Sequence, residues 1–171
     1  PNNFYIDSVE AMKKCGSIGK NMQFNQIRIV KEDGSVCGIH EVGELQLKGK
    51  HLFKEYWKNE SETEAAFSEG WFKTGDLAKM DEQYDVYIIG RKKEIIISGG
   101  ENIYPQEIEQ CIIKHSNVKE VAVIGTNDSD WGEVVTAFIV CHEEIDTFEE
   151  EIRTFCVQQL AKYKIPKKIF I

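Results

Sequence analysis

The chain has 171 residues, of which 42% are hydrophobic and 29% charged, and it carries a formal net charge of −8. That length suits one moderate domain or two small ones, and the apolar fraction supports a packed core, which excludes a wholly disordered chain. The acidic balance argues against nonspecific nucleic-acid binding, which needs a basic surface to release counterions, but a local pocket for a nucleotide can still be basic.

In chain order, residues 24–30 (Phe-Asn-Gln-Ile-Arg-Ile-Val) alternate as a half-buried strand does. Glu32-Asp33-Gly34 reads as a turn, and residues 44–49 as a second alternating strand. A short helix is predicted between Asn59 and Ser68, opened by a capping box of Ser61 and Glu64. The first 90 residues therefore read as mostly β. The pattern changes after Gly90. Residues 94–97 form a short predicted strand, Ser98-Gly99-Gly100 a loop, and Pro105 the first residue of a helix, where its missing amide costs nothing. Glu107 and Glu109 suit the positive end of that helix, and Ile108, Ile112 and His115 follow at helical spacing. Residues 121–124 and 134–140 are predicted strands. Thr147 and Glu150 form a second predicted capping box, opening a helix with Phe148, Ile152, Phe155 and Leu160 on its inner face. A last strand is predicted at residues 168–171. Strand, helix, two strands, helix and strand describe a compact α+β domain.

Generic chemistry is sparse. Five cysteines (Cys15, Cys37, Cys111, Cys141, Cys156) show no C-x-x-C spacing, so reduced thiols are expected and neither a disulfide framework nor structural zinc. No G-x-G-x-x-G fingerprint and no P-loop is present. Residues 40–44 only half-match H-E-x-x-H, and Gly43 disfavours the helix that motif needs, so no metal site is expected. No apolar run approaches the roughly 18 residues of a membrane span, and no signal peptide opens the chain. A cytoplasmic protein fits best, and peripheral membrane association is compatible with it. The start at Pro1 and the end at Ile171 inside a predicted strand read as cuts in a longer protein.

Two segments carry more. Gly70-Trp71-Phe72-Lys73-Thr74-Gly75-Asp76 offers a carboxylate just after a tight turn; Asp76 would accept two hydrogen bonds from a sugar diol, or simply cap the turn. Residues 90–109, G-R-K-K-E-I-I-I-S-G-G-E-N-I-Y-P-Q-E-I-E, place a basic stretch before a strand, then two glycines that let backbone approach a ligand, then a helix start that can face an anion. In this order the two closely resemble the adenylate-forming family of acyl-CoA synthetases, luciferases and peptide-synthetase adenylation domains. Gly16-Ser17-Ile18-Gly19-Lys20, Gly43-Glu44-Leu45, Asp130-Trp131-Gly132-Glu133 and Tyr163-Lys164-Ile165-Pro166-Lys167 extend the resemblance over essentially the whole chain.

The resemblance implies a ligase that joins a carboxylic acid to ATP, releasing pyrophosphate, and then passes the acyl group to CoA. The S-G-G-E-N-I-Y-P and W-G-E segments favour this CoA branch, with a fatty acid as the first expected substrate and o-succinylbenzoate or another aryl acid as the alternative. It implies that residues 1–90 end the β-rich part of an AMP-binding domain and that residues 91–171 belong to a mobile α+β domain. Asp76 and Arg91 would hold the ribose of ATP and AMP, Ile88 would line the adenosine pocket, and Lys93 would be the hinge between half-reactions. Ser98, Gly99, Gly100 and Glu101 would line the CoA tunnel. Trp131 would flank the CoA arm, Tyr163 its adenine, and Lys164 would reach a CoA phosphate; for the two aromatics a place in the core is the alternative. Asn102 stands where some members carry an Arg facing phosphates, and an Asn cannot supply that charge. The phosphate loop, the Glu that handles Mg2+ and most of the acyl pocket are expected upstream, and the adenylation Lys beyond Ile171, so no complete catalytic set is expected in this chain. A non-catalytic nucleotide- or CoA-binding module is the reading from another class. Oligomeric state stays open.

Overall fold

A computed structural model describes residues 3–143 and 147–171. The protein is α+β. Its chain divides into two compact units, the first ending at Lys92 and the second beginning at Lys93.

The first unit is built from β1 (Phe4–Tyr5), α1 (Ser8–Lys13), β2 (Ser17–Asn21), β3 (Gln26–Val30), β4 (Gly43–Lys48), α2 (Glu60–Ala66), β5 (Phe67–Ser68), β6 (Trp71–Met80) and β7 (Val86–Arg91). Its sheet has the order β1-β2-β7-β6-β4-β3, with β5 paired to β6. The alternation of β3 and β4 sets their register, Ile27 opposite Leu47 and Ile29 opposite Leu45, so the apolar side chains share one face. On the other face Arg28 Nε donates to Gln46 Oε1 at 2.8 Å, and the Arg28 guanidinium lies 4.5 Å from the centre of the Trp71 ring. That pairing satisfies Gln46, which is buried.

Two local expectations fail here. Phe24 and Asn25 lie outside β3, and Phe24 takes a left-handed φ of +75°. The cap of α2 is Asn59, whose side chain accepts the Glu62 amide at 3.2 Å. Ser61 is already inside the helix, so the Ser61/Glu64 box does not form. α1 escapes the periodicity test because it is one and a half turns long and buries nothing; its one signal is Asp7, which accepts the amides of Val9 and Glu10.

The second unit runs β8 (Ile96–Ser98), β9 (Glu101–Ile103), α3 (Pro105–Ile112), β10 (Val118–Asp128), β11 (Gly132–Cys141), α4 (Phe148–Gln159) and β12 (Lys168–Phe170). Its sheet has the order β10-β11-β8-β9, and β12 adds in parallel to β11. Val135, Ala137 and Ile139 alternate along β11 into a core shared with Ile108 and Ile112 of α3 and with Phe148, Ile152 and Cys156 of α4.

The segment after Gly90 needs correcting. Lys92–Glu94 is a 3-10 turn, so the strand starts two residues later than the predicted residue 94. Gly99 and Gly100 are not a loop leading into a helix. They are the two-residue turn of a β8–β9 hairpin, both at positive φ (+60° and +86°), with Ser98 paired to Glu101. That backbone matches the twist of the flanking strands and requires left-handed residues, which explains the glycine pair. α3 ends at Ile112, so His115 is off the helix, its ring edge-on to Phe148 and Phe155 at 5.5 and 5.2 Å. In α4 the Thr147/Glu150 box is not made. Thr147 has ψ of 9° and not the extended backbone of a capping residue, and its hydroxyl reaches Glu151 instead at 3.3 Å.

Candidate functional site

Asp76 sits inside β6, not after a turn between elements. Gln46 pairs with Lys73 and Glu44 with Leu77, so Thr74, Gly75 and Asp76 together face Leu45 alone. Gly75, at φ +72°, accommodates this bulge. Thr74 Oγ1 ties it down, donating to Leu45 O at 2.8 Å and accepting the Asp76 amide at 3.0 Å. On the other edge Asp76 is directly opposite Arg91 of β7. Arg91 Nε lies 2.9 Å from Asp76 Oδ1, with the Asp76 side chain 29% exposed. The strand pairing thus brings together two predicted residues 15 positions apart, and leaves a carboxylate and a guanidinium within reach of solvent. Ile88, one turn of the pleat away opposite Ala78, packs against the apolar core of this unit.

In the second unit the S-G-G-E and W-G-E segments form one structure. Gly132, at φ +76°, pairs with Ser98. The Gly99 amide donates to Trp131 O at 2.9 Å. The Trp131 ring lies so close to Gly99 that a Cβ there would meet its Cε3 at 2.7 Å. Glu133 Oε2 accepts the Ile97 amide at 2.8 Å. Asp128 Oδ1 holds the intervening turn by accepting the amides of Asp130 and Trp131. Trp131 is 50% exposed and Tyr163 is 48% exposed, so neither is a core aromatic. Ser98 is buried at the hairpin, while Glu101 and Asn102 are exposed on β9.

The remaining predicted residues fall elsewhere. Lys93 is exposed in the 3-10 turn and opens the second unit; its neighbour Lys92 is tied back to Glu44 at 3.1 Å. Lys164 is not a lone cation. Its Nζ is 2.7 Å from both carboxylate oxygens of Glu107, in the first turn of α3. Burial works against its charge, but Glu107 outweighs burial and holds Lys164 above the usual lysine range. To meet a phosphate it would have to exchange one anion for another.

Sequence reasoning missed two groups. Lys167 Nζ stands 3.7 Å from the centre of the Trp131 ring, a cation–π contact whose only sequence signal is its place after Pro166. In the first unit Lys14 Nζ bonds Asp85 and, at 2.8 Å, Asp81, while Tyr87 Oη donates to Asp81 at 3.2 Å. Burial pushes the Asp81 carboxyl up, but Lys14 and the amides of Asp85 and Gln83 overcome it and hold the group at about 2. These partners are some 70 residues apart, and no spacing rule joins them. All five cysteines are free.

The chain is a member of the adenylate-forming superfamily. Residues 107–171 match the family of the AMP-binding enzyme C-terminal domain. The chain is 43% identical over 161 residues to the 2-succinylbenzoate–CoA ligase of Bacillus subtilis, covering 94% of this chain and 32% of that protein. It is also 43% identical over 162 residues to the long-chain-fatty-acid–CoA ligase FadD13 of Mycobacterium tuberculosis, covering 95% and 32%. Among solved structures, that of the Bacillus subtilis o-succinylbenzoate CoA synthetase in complex with the acyl-adenylate intermediate OSB-AMP superposes with a TM-score of 0.91 at 41% identity, over 98% of this chain and 34% of that one. The chain therefore spans about a third of the length of the curated relatives it matches.

Proposed function

We propose that this chain works within an ATP-dependent acid–CoA ligase. A carboxylic acid attacks the α-phosphate of ATP to give an acyl-adenylate and pyrophosphate; the CoA thiol then attacks the acyl carbon and AMP leaves. The observation that carries this reading is the Asp76–Arg91 pair on the β6 bulge, 2.9 Å apart and open to solvent. In this reading Asp76 accepts hydrogen bonds from the ribose hydroxyls, Arg91 orients that carboxylate and donates to the same sugar, and Ile88 lies near the adenosine. Residues 1–90 form the β-rich end of the AMP-binding domain. Residues 91–171 form the mobile domain, with Lys93 as hinge.

The Ser98–Glu101 hairpin is the wall along which pantetheine passes, because two glycines without side chains leave backbone exposed there. Trp131, packed against Gly99, flanks the CoA arm. Tyr163 stacks near the CoA adenine, and Lys167 is a better phosphate partner than Lys164, which Glu107 already occupies. Magnesium enters with ATP, and residues outside this chain hold it. Supporting this, solved structures of the Bacillus subtilis synthetase contain AMP, or ATP with a magnesium ion.

Two acids fit. Equal identity to the 2-succinylbenzoate and long-chain fatty-acid ligases supports both, and the 0.91 TM-score to the former makes 2-succinylbenzoate the first to assay. In a ligase carrying this chain, thioester formation with each acid is the test. Asp76→Ala is expected to raise the KM for ATP at least tenfold, and Trp131→Ala the KM for CoA. Lys93→Pro, which fixes φ, should slow thioester formation more than adenylation. Equal loss of both half-reactions in the Lys93 variant would sink the hinge assignment, and an unchanged ATP KM in the Asp76 variant would sink the ribose assignment. The 171-residue chain by itself is expected to release no pyrophosphate from ATP with either acid.

A further inference from the structure

A cavity of about 660 Å3 opens on the first unit, between residues 23–26 and residues 48–51. Its size lies in the range of small-molecule sites. None of its lining residues belongs to the Asp76–Arg91 pair. Charge is the first unusual feature. In a chain of net charge −8, no carboxylate lines the cavity, whereas Lys48 and Lys50 do. Neither lysine makes an ion pair among the described residues; Lys48 Nζ lies 5.6 Å from the centre of the Trp71 ring.

His51 is the second. Its ring lies against Gly49, where a Cβ would meet Nδ1 at 2.5 Å, and both ring nitrogens are buried without a hydrogen-bond partner. At least one nitrogen of an imidazole carries a proton, so a buried ring with neither nitrogen engaged loses its solvation for nothing in return. The third is Phe24 at the rim. It takes a left-handed φ of +75°, a region bulky residues avoid, and 90% of its surface is exposed. The φ belongs to the turn that the Asn25 amide closes on Met22 O at 3.2 Å, but the exposed ring opposes folding and is not explained by the packing of this unit.

We propose that this cavity binds a small organic anion with a planar aromatic body. The two lysines neutralise its charge. The side-chain amides of Asn25 and Gln26 hydrogen-bond its oxygens, the His51 ring turns from Gly49 to present a nitrogen to them, and Phe24 stacks on its ring. Each of the three features then has a use that the free unit lacks.

The test titrates the 171-residue chain with phenyl phosphate, following the imidazole signals by NMR and assigning His51 with His51→Gln. Inorganic phosphate and benzyl alcohol serve as the charge-only and ring-only probes. Phenyl phosphate is expected to shift the His51 signals and to bind at least tenfold more tightly than either probe. The Lys48→Ala/Lys50→Ala variant should weaken it at least tenfold and Phe24→Ala severalfold, while Asp76→Asn leaves it unchanged. Unmoved His51 signals, binding that survives loss of both lysines, or inorganic phosphate binding as tightly as phenyl phosphate would each overturn the proposal. Loss of AMP binding in Asp76→Asn, with phenyl phosphate binding retained, would separate this site from the ribose pair.

Discussion

The second unit covers one face of its sheet with α3 and α4, and its core is a continuous set of isoleucines, valines and Phe148, with Ser98 and Thr136 as its buried polar residues. The core cluster of the first unit is smaller, made of Ile29, Leu45, Leu47, Ala78 and Val86 and backed by partly buried residues. It buries charge instead: Asp85 is fully inaccessible, and Lys14, with Lys20 at 3.9 Å, compensates it. An apolar core resists pH and depends on volume. A buried ion cluster depends on protonation, and removal of one partner leaves the other uncompensated. The two units should therefore fail under different insults, and the candidate site residues are divided between them. Asp76 and Arg91 are carried by a bulge in the polar unit, while the glycine hairpin rests on the apolar one.

The sharpest break is Phe148→Ala. Deleting a fully buried aromatic costs about 3–5 kcal/mol. Amide hydrogen exchange should show that loss across β8 to β12 and α3 to α4, with protection in the first unit unchanged. Equal loss in both units would mean that they fold as one and would undo the comparison.

Next comes Gly99→Ala set against Gly100→Ala. Both glycines are left-handed, but only at Gly99 would the new Cβ strike Trp131; at Gly100 it meets open space. Gly100→Ala should cost about 1–2 kcal/mol of backbone strain. Gly99→Ala adds a displaced indole, a further ~1–3 kcal/mol, and should change the Trp131 fluorescence where Gly100→Ala does not. Identical spectra would show that the ring is not held by that contact.

The mildest insult is acid. Asp81 is held at about 2, below its ordinary value near 3.8, so its contribution is complete above about pH 4 and is lost as pH falls toward 2. For Lys14, burial lowers the pKa, but Asp81 and Asp85 override it and raise it above the ordinary lysine value, so that contribution is present below pH ~10.5 and lost above. In the second unit the Cys156 thiol is pushed up to about 12, chiefly by burial, and stays neutral throughout this range. Protection in the first unit should thus decline between pH 4 and 2 while the second unit holds. Lys14→Met should lower stability at pH 7 and shrink that acid limb; an unchanged limb would assign it to other carboxylates.

Elements were legible where a local rule decides them. The β3 and β4 alternation, Pro105 at the start of α3 and the apolar stripe of α4 follow from periodicity and from proline's missing amide. Caps were not. Ser61 and Thr147 satisfy the capping pattern on paper, yet Asn59 starts α2 earlier and Thr147 has the wrong ψ, because the chain entering each helix sets the cap geometry. The two glycines read as a loop that lets backbone approach a ligand; their role as a hairpin turn emerges only once Ile96 and Ile103 pair.

The sequence by itself determined the membership of the family, the α+β class and the identity of the motif residues, because each of these resides in residue types at short spacing. Tertiary structure alone decided which of them meet. Strand pairing set Asp76 against Arg91 and Gly132 against Ser98, side-chain packing laid Trp131 on Gly99, and Glu107 claimed Lys164. Such contacts depend on register and on the path of the backbone between distant segments, which no local pattern encodes.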